Sequence, residues 1–479
     1  MIRPNKLTRR RFIKGSVAAS LAASCWPRGT VLGANEKIGV AVVGTGGRGG
    51  AHVKQFNRGD CQIVAVSDAD RKRMDGAAGK IKDRQVVKHQ DLRKIMEMKD
   101  VDAVVIATPN HWHAPATILA CQAGKDVYVE KPVAHCIWES RQMVKAARKY
   151  KRIVQGGTQQ RSDPYYAELK ADLKAGKYGE IKLVHCLKHN NRGPIGKVTE
   201  PQQPPSSVDY SLYCGPAPTV PLMRKNFHYD WHWQWNWGDG EMGNWGPHIV
   251  DDLRNILDWD DVPTSVVAAG GRFAWDDNGE TPNIQFALFE RQGFKFVVDI
   301  RIIPAKKGVR AASTYMKSRG HNVIVCEGGT VRVGRGGGAA YDKEGKKIKQ
   351  YKGTGGRGHD TNFVKAVKSR KMEDLNCEIE VGHQSTMMCL MANAAYRAGK
   401  QATVEQVKAS MKEHQDALDT IDSVVKQIAD NGGDIKDLKL GPKLTFDNKK
   451  EVFTGENAEE ANKFVRYEMR KEFAVPDEV

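Results

Sequence analysis

The sequence predicts an α/β protein in two unlike parts: a doubly wound parallel sheet first, then an α/β segment dominated by antiparallel strands. Three observations carry that prediction. From Lys37 to about residue 158, strand-length apolar runs alternate with helix-like stretches, the grammar of successive βαβ units. A glycine loop closes the first of those strands and opens the first helix. Beyond Ser162 the alternation stops, and apolar runs at 265–273, 283–290 and 294–303 are spaced as neighbouring antiparallel strands. At 479 residues the chain exceeds one hydrophobic core. Domains are expected at 35–158 and 159–479, behind a leader at 1–34.

The leader reads as an address. Thr8-Arg9-Arg10-Arg11-Phe12-Ile13-Lys14 fits the twin-arginine export pattern, and a short Ala/Ser-rich apolar stretch runs from Gly15 to Ala23. Export to the periplasm is the expectation, with cleavage near Gly33 or Ala34. No apolar run reaches the roughly 18 residues of a membrane span. The formal charge is +18, from 75 Lys+Arg against 57 Asp+Glu; the leader holds seven of the positives and no acid, which leaves +11. With 40% hydrophobic and 28% charged residues, collagen-like, disordered and multi-span classes are excluded. Nucleic-acid binding is disfavoured, because the positive residues are dispersed rather than gathered on one reader. Nine cysteines without a CxxC pair read as buried thiols. His185, His189, His228, His232 and His248 lack ligand spacing, so no metal is expected.

Within the first domain, Lys37–Val43 is a strand that runs into Gly44-Thr45-Gly46-Gly47-Arg48-Gly49 and a helix to about Asn57. A second strand, Gln62–Ser67, ends at Asp68. Val101–Thr108, Asp126–Glu130 and Ile153–Gly156 are further strands, with helices near 113–123 and 138–150. In that context Gly44 makes the tight turn, Gly46 lets the backbone approach a diphosphate, and Gly49 lets helix and strand pack closely. The diphosphate would rest on the helix N-terminus, where free N–H groups favour anions. Asp68, 19 residues after Gly49, would accept from the ribose hydroxyls, which favours NAD. Arg71, Lys72 and Arg73 leave room for a 2′-phosphate and so for NADP.

Two more loops sit at carboxyl ends of strands: Thr108-Pro109-Asn110-His111-Trp112-His113 and Glu130-Lys131-Pro132. With the glycine loop, they make the sequence resemble the Gfo/Idh/MocA oxidoreductases. The resemblance implies a Rossmann domain whose cofactor contacts include Thr108, Pro109, Asn110, His113 and Glu130, and places Lys131 beside the nicotinamide and the reacting hydroxyl. It also implies a second domain with a large open sheet whose flat face mediates a homo-oligomer, a dimer or tetramer. Gly382-His383-Gln384-Ser385 and the helix to Arg397 look like the subgroup's returning segment.

In the second half, a helix at 164–175 precedes a strand at Ile181–His189 and a polar loop from Asn190 to Gly196. Gly334–Gly338 and Gly353–Gly358 read as flexible loops. From His228 to Trp237, four tryptophans alternate, so a strand would face all four one way. Such a row suits either a platform for sugar C–H faces, with Trp237 as a contact, or aromatic packing at an interface. Asn244, His248 and Asp252 fall at i, i+4 and i+8 of a helix starting near Trp245. The family pattern implies Asp-x-x-x-His here, with the histidine as proton acceptor; His248 matches and Asn244 replaces the aspartate. An amide cannot take a proton, so Asn244 can only orient its neighbours.

The expectation is an NAD(P)-dependent oxidoreductase for a hydroxyl of a sugar, glycoside or cyclitol. Lys131, His248 and Asn244 would be its catalytic residues, and Gln160, Arg161, Arg192, Trp237 and Asp252 its substrate contacts. Export favours a tightly bound cofactor that is recycled within each turnover. The alternatives are a glycoside lyase or hydrolase working through a transient keto-sugar, and a sugar- or nucleotide-binding protein without turnover. The +11 charge and the basic segment Lys306–Arg319 raise uronic or sulfated sugars as substrates.

Overall fold

The computed structural model describes residues 37–479; the twin-arginine motif and Cys25 lie outside them. The first domain is a six-stranded, wholly parallel sheet in the order β3-β2-β1-β4-β5-β6. Its strands are β1 (Ile38–Val43), β2 (Cys61–Ser67), β3 (Val87–His89), β4 (Ala103–Ile106), β5 (Asp126–Val129) and β6 (Val154–Gly156). Crossover helices include α1 (Gly47–Gln55), α2 (Arg71–Ala78), α3 (His113–Gln122) and α4 (Ile137–Lys149). The strands β1, β4 and β5 are buried at every position, as a sheet covered on both faces requires. Strand order reverses between β1 and β4, so the loops after both strands open into one crevice. The edge strand β3 escaped the sequence reading because Val87, Lys88 and His89 carry no apolar run and face solvent.

The second domain is one mixed sheet whose order begins β14-β13-β12-β11-β7-β10-β9-β8. Strand β7 (Ile181–His189) pairs in parallel with β10 (Phe294–Arg301), while β8 (Ser265–Gly271), β9 (Ile284–Arg291) and β10 run antiparallel as the apolar runs predicted. Beyond β7 lie β11 (Gly320–Cys326), β12 (Gly329–Gly334), β13 (Gly337–Tyr341) and β14 (Lys347–Lys352), all antiparallel. Gly334–Gly338 is therefore a hairpin turn with Arg335 at its tip, not a flexible loop. Gly353–Gly358 is anchored as well: the N–H groups of Thr354, Gly355 and Gly356 donate to the Asp163 carboxylate at 2.8–3.2 Å.

Two helices join the halves. Helix α5 (Gly240–Leu257) and helix α6 (Ile379–Arg397) pack together over the second sheet through Ile249, Val250, Leu253, Met387, Met388 and Leu390. The returning helix α6 also reaches the first domain, where Thr386 Oγ1 accepts from the Val133 N–H at 3.1 Å. On α5, Arg254 is buried and donates to Ser385 Oγ and to the Val381 carbonyl, while Ser385 Oγ donates to Asp251. All eight described cysteines are free and buried.

The predicted tryptophan strand does not form. Asp230–Trp233 is a turn of 3-10 helix, with the Asp230 carboxylate accepting from the Asn226 N–H at 3.0 Å. Buried Arg224 holds the chain in this turn, donating to Gln234 Oε1, Tyr213 Oη and the Phe227 carbonyl. With the alternation broken, the four indoles separate. Trp237 lies in a core with Tyr213, Leu222 and Phe227, Trp235 packs under Arg397, and Trp231 stacks on His232.

The turn after β1 has no room for a side chain at its last glycine. A Cβ on Gly49 would lie 1.7 Å from the Gly44 carbonyl oxygen, and Gly44 itself has φ +79°. Gly49→Ala must push α1 off β1, and it is expected to cost about 1–3 kcal/mol, read as a lower denaturant midpoint at unchanged slope.

Candidate active site

A cavity of about 420 Å³ runs from the glycine loop to the N-terminal turns of α5. Its lining includes Gly44, Gly46, Gly47, Arg48, Asp68, Thr108, Pro109, Asn110, His113, Glu130, Lys131, Arg192, Asn244 and His248. The nucleotide-side residues expected from sequence thus share one wall. Gly49 lies behind it, at the helix–strand contact.

The glycine loop fits a diphosphate. Helix α1 begins after Gly46 with no side-chain cap and no acid in its first turn, so its leading N–H groups are free to bind an anion. A Cβ on Gly47 would meet nothing within 4 Å, which leaves that backbone open to the cavity. Asp68 closes the far side, its carboxylate accepting from Thr45 N at 2.7 Å, Thr45 Oγ1 at 3.0 Å and Asp70 N at 2.9 Å. These bonds fix Asp68 at the end of β2, facing the cavity where a ribose diol would lie. Arg73 reaches over the loop: its Nη1 would lie 2.1 Å from a Cβ on Gly46.

Glu130 ties the loops together. Its buried carboxylate accepts from Arg48 Nε at 2.7 Å, His52 Nε2 at 2.9 Å and Gln159 Nε2 at 3.1 Å. Burial alone would raise its pKa, but Arg48 and His52 hold it well below the usual carboxylate range. Arg48 and His52 are four residues apart on α1, so one helix face grips the start of the Lys131 loop. His113 performs a similar task, its two ring nitrogens meeting the carbonyls of Pro132 and Thr108 at 2.6 and 2.9 Å. Asn110 donates to Asp239 at 2.7 Å, which in turn pairs with His135.

Lys131 projects from this assembly towards α5. Its Nζ donates to the Asn244 carbonyl at 2.6 Å and to Asn244 Oδ1 at 3.0 Å. The Asn244 amide then donates to Glu241 Oε2 at 3.2 Å, and Glu241 forms an ion pair with Arg192. Helix α5 starts earlier than expected, and this places Glu241 three residues before Asn244 on the same face. The sequence reading overlooked Glu241, although its i, i+3 spacing to Asn244 was visible. Its presence explains why an amide suits position 244: Asn accepts from an ammonium and donates to a carboxylate at once, which an aspartate cannot do. Burial raises the pKa of Glu241 against the pull of Arg192, Asn244 and Lys131.

His248 stands one helical turn beyond Asn244. Its Nδ1 is buried without a hydrogen-bond partner, and its ring lines the cavity beside Trp245. Burial, then the charges of Lys131, His321 and Arg335, lower its pKa well below the ordinary imidazole value. The ring is therefore neutral at neutral pH and able to take a proton. Burial also lowers the Lys131 pKa, opposed by Glu130 and Glu241.

The remaining expected substrate contacts divide. Arg192 lines the cavity and donates to Tyr229 Oη at 2.7 Å. Gln160 and Asp252 do not line it; they are buried beneath, where Asp252 pairs with His321 at 2.7 Å and accepts from Gln160. Arg161 is spent on Asp251 at 2.8 Å, also outside the lining. Trp237 is 1% exposed in the core described above, because the chain turns at Asp230 instead of running on as a strand. The tryptophan that reaches the cavity from that stretch is Trp231, together with Tyr229 and His232.

Residues 38–158 match the Gfo/Idh/MocA family description "Oxidoreductase family, NAD-binding Rossmann fold", and residues 193–299 match its C-terminal alpha/beta domain. Both stretches are similar to domains of that family. Inositol 2-dehydrogenase 4 of Saccharopolyspora erythraea is 39% identical over 165 residues, 34% of this chain and 48% of that protein. Inositol 2-dehydrogenase of Rhodococcus erythropolis is 33% identical over 165 residues, 34% of this chain and 47% of that protein. The matched region thus spans about half the length of these relatives. Two solved structures share the fold. The WlbA dehydrogenase of Bordetella pertussis, in complex with NADH and UDP-GlcNAcA, has a TM-score of 0.53 at 19% identity, over 74% of this chain and 93% of its own. Levoglucosan dehydrogenase, in complex with NADH and levoglucosan, has a TM-score of 0.53 at 18% identity, over 75% and 98%.

The bridge at Asn244 gives a direct test. Asn244→Asp sets a second carboxylate against buried Glu241, and is expected to cost about 1–3 kcal/mol at neutral pH. Mutual repulsion raises the pKa of the folded pair above its unfolded value. The cost is therefore full where both would be ionised and fades as falling pH protonates them, which the difference in Tm from wild type measured against pH will show.

Proposed function

We propose that this chain is an NAD(H)-dependent oxidoreductase acting on a hydroxyl of a sugar, glycoside or cyclitol, with the cofactor retained from one turnover to the next. The observation that carries it is a half-buried cation, Lys131, bonded to Asn244 in a dinucleotide cleft, with a neutral histidine, His248, one helical turn beyond Asn244 on the same wall. Bound nicotinamide would supply the hydride acceptor. Lys131 stabilises negative charge as it develops on the substrate oxygen, because its ammonium is held in the cleft by Asn244. His248 takes the hydroxyl proton; its depressed pKa keeps it free to do so. Asn244 and Glu241 fix the Lys131 ammonium in direction and balance its charge.

Retention of the cofactor is supported by a cover built from residues 200–237. The Arg71 N–H donates to Ser207 O and the Asp209 N–H to Ala69 O, both at 2.9 Å, so the cover is laced to the chain just past Asp68. His228 pairs with Asp70 at 2.9 Å, and Trp112 Nε1 donates to Leu212 O at 3.0 Å. Leu212, Tyr213, His228 and Trp231 then form part of the cavity wall. A retained cofactor suits an exported enzyme, and with it the proposal extends to the periplasm and to a homo-oligomer formed on the open sheet.

The test is single-turnover reduction of the bound nucleotide by a panel of sugars and methyl glycosides, followed by absorbance. Lys131→Met and His248→Ala are each expected to slow that step by roughly 10²–10⁴-fold while leaving the bound nucleotide in place. An unchanged rate in either variant contradicts the assignment. In wild type, His248 must be neutral and Lys131 charged. Activity should therefore persist as pH falls through 6.5 and decline, on the alkaline side, below the ordinary lysine pKa.

A further inference from the structure

Cations crowd the part of the cavity beyond Lys131 and His248. Arg335, at the tip of the β12–β13 hairpin, lines it, and among the described residues its guanidinium makes no hydrogen bond or ion pair. Lys188, near the end of β7, also lacks a carboxylate partner. Its Nζ rests 4.0 Å from the centre of the Trp245 ring, which is itself part of the cavity wall. Arg192 completes the group from the adjoining loop. The carboxylate acting on Lys188 is Glu241, which Arg192 already engages. Glu130, the other nearby acid, is committed to Arg48 and His52.

Arg335 and Arg192 on the cavity wall and Lys188 over the Trp245 ring share a single engaged carboxylate and repel one another, and a partly buried ammonium stacked on an indole is poorly solvated. Burial and the charges of Arg192, Arg319 and Arg335 depress the Lys188 pKa, with only Glu241 opposing them among its main influences. An anion in the cavity would offset both costs. The dinucleotide's own phosphates do not serve, since their cradle is the glycine loop near Arg48 and Arg73 at the other end. The basic segment Lys306–Arg319, which the sequence suggested for anions, does not line the cavity at all.

We propose that the substrate carries an anionic substituent, a carboxylate or a sulfate ester, held by Arg335, with Lys188 adding positive charge from the Trp245 ring, while its reacting hydroxyl lies at Lys131 and His248. Arg335 presents a planar fork matched to two oxygens of either group, and Lys188 a point charge. This deepens the oxidoreductase reading and rests on it.

The experiment titrates the full chain with matched pairs of methyl glycosides, glucoside against glucuronide and galactoside against galacturonide, at constant ionic strength. Galactose against galactose 6-sulfate forms a third pair, inorganic sulfate serves as a probe free of sugar stereochemistry, and tryptophan fluorescence reports binding. The expected result is sulfate-induced quenching, and at least one pair in which the anionic member binds about tenfold more tightly, the worth of one charge-assisted hydrogen bond. Arg335→Gln should remove most of that preference and Lys188→Gln part of it, with nucleotide content unchanged. Preference for uronides alone or for the sulfate ester alone assigns the anion and supports the proposal. No quenching by sulfate and no preference in any pair overturns it, as does a preference that survives both substitutions. Nucleotide content is measured on the same samples, so a chain without nucleotide that still selects anions would sink the redox reading and leave the anion site standing.

Discussion

Everything in the cleft depends on the buried Glu130 carboxylate. The glycine loop with helix α1, the Lys131 loop and the segment after β6 are three separate stretches of chain. Arg48, His52, Gln159 and Glu130 bring them to one point within 3.1 Å. A buried carboxylate that lost these partners would be left with an uncompensated charge costing about 3–5 kcal/mol, so the loops have one arrangement and hold it. Lys131 is the next residue after this anchor, which is why its ammonium can be aimed across the cleft at α5 with little freedom.

From that anchor the site extends by alternating charge. Lys131 meets Asn244, Asn244 meets Glu241, and Glu241 meets Arg192. His248, a turn further along α5, is left neutral beside this chain because it is buried and faces cations. In the proposed reaction this electrostatic pattern would separate two tasks: one charged group to stabilise an oxyanion, and one uncharged group to accept a proton. The same positive field reaches Lys188 and Arg335, where it becomes a basis for substrate selection.

The parallel sheet was legible because each of its central strands is covered on both faces and therefore reads as an unbroken apolar run, β1 and β4 most clearly. The nucleotide-side residues were legible because glycine spacing and the Glu-Lys-Pro loop record backbone geometry directly. Contacts made by side chains across the fold were not. Trp237, expected as a substrate contact, lies in a core because buried Arg224 turns the chain, an interaction absent from any local pattern. Gln160, Arg161 and Asp252 are polar and near the site in sequence, yet they are used up by His321 and Asp251 beneath it. Glu241 and Arg335 were missed for the opposite reason: one lay in a glycine-rich run, the other at a hairpin tip that read as a loop.

The measurement that bears most directly on this account is nucleotide released per chain when gel-filtered wild type and Glu130→Gln are denatured. The clamp predicts close to one NAD(H) per wild-type chain and a much smaller amount from the variant, since the loops that enclose the nucleotide are no longer tied. Equal release from both, or none from wild type, would contradict it.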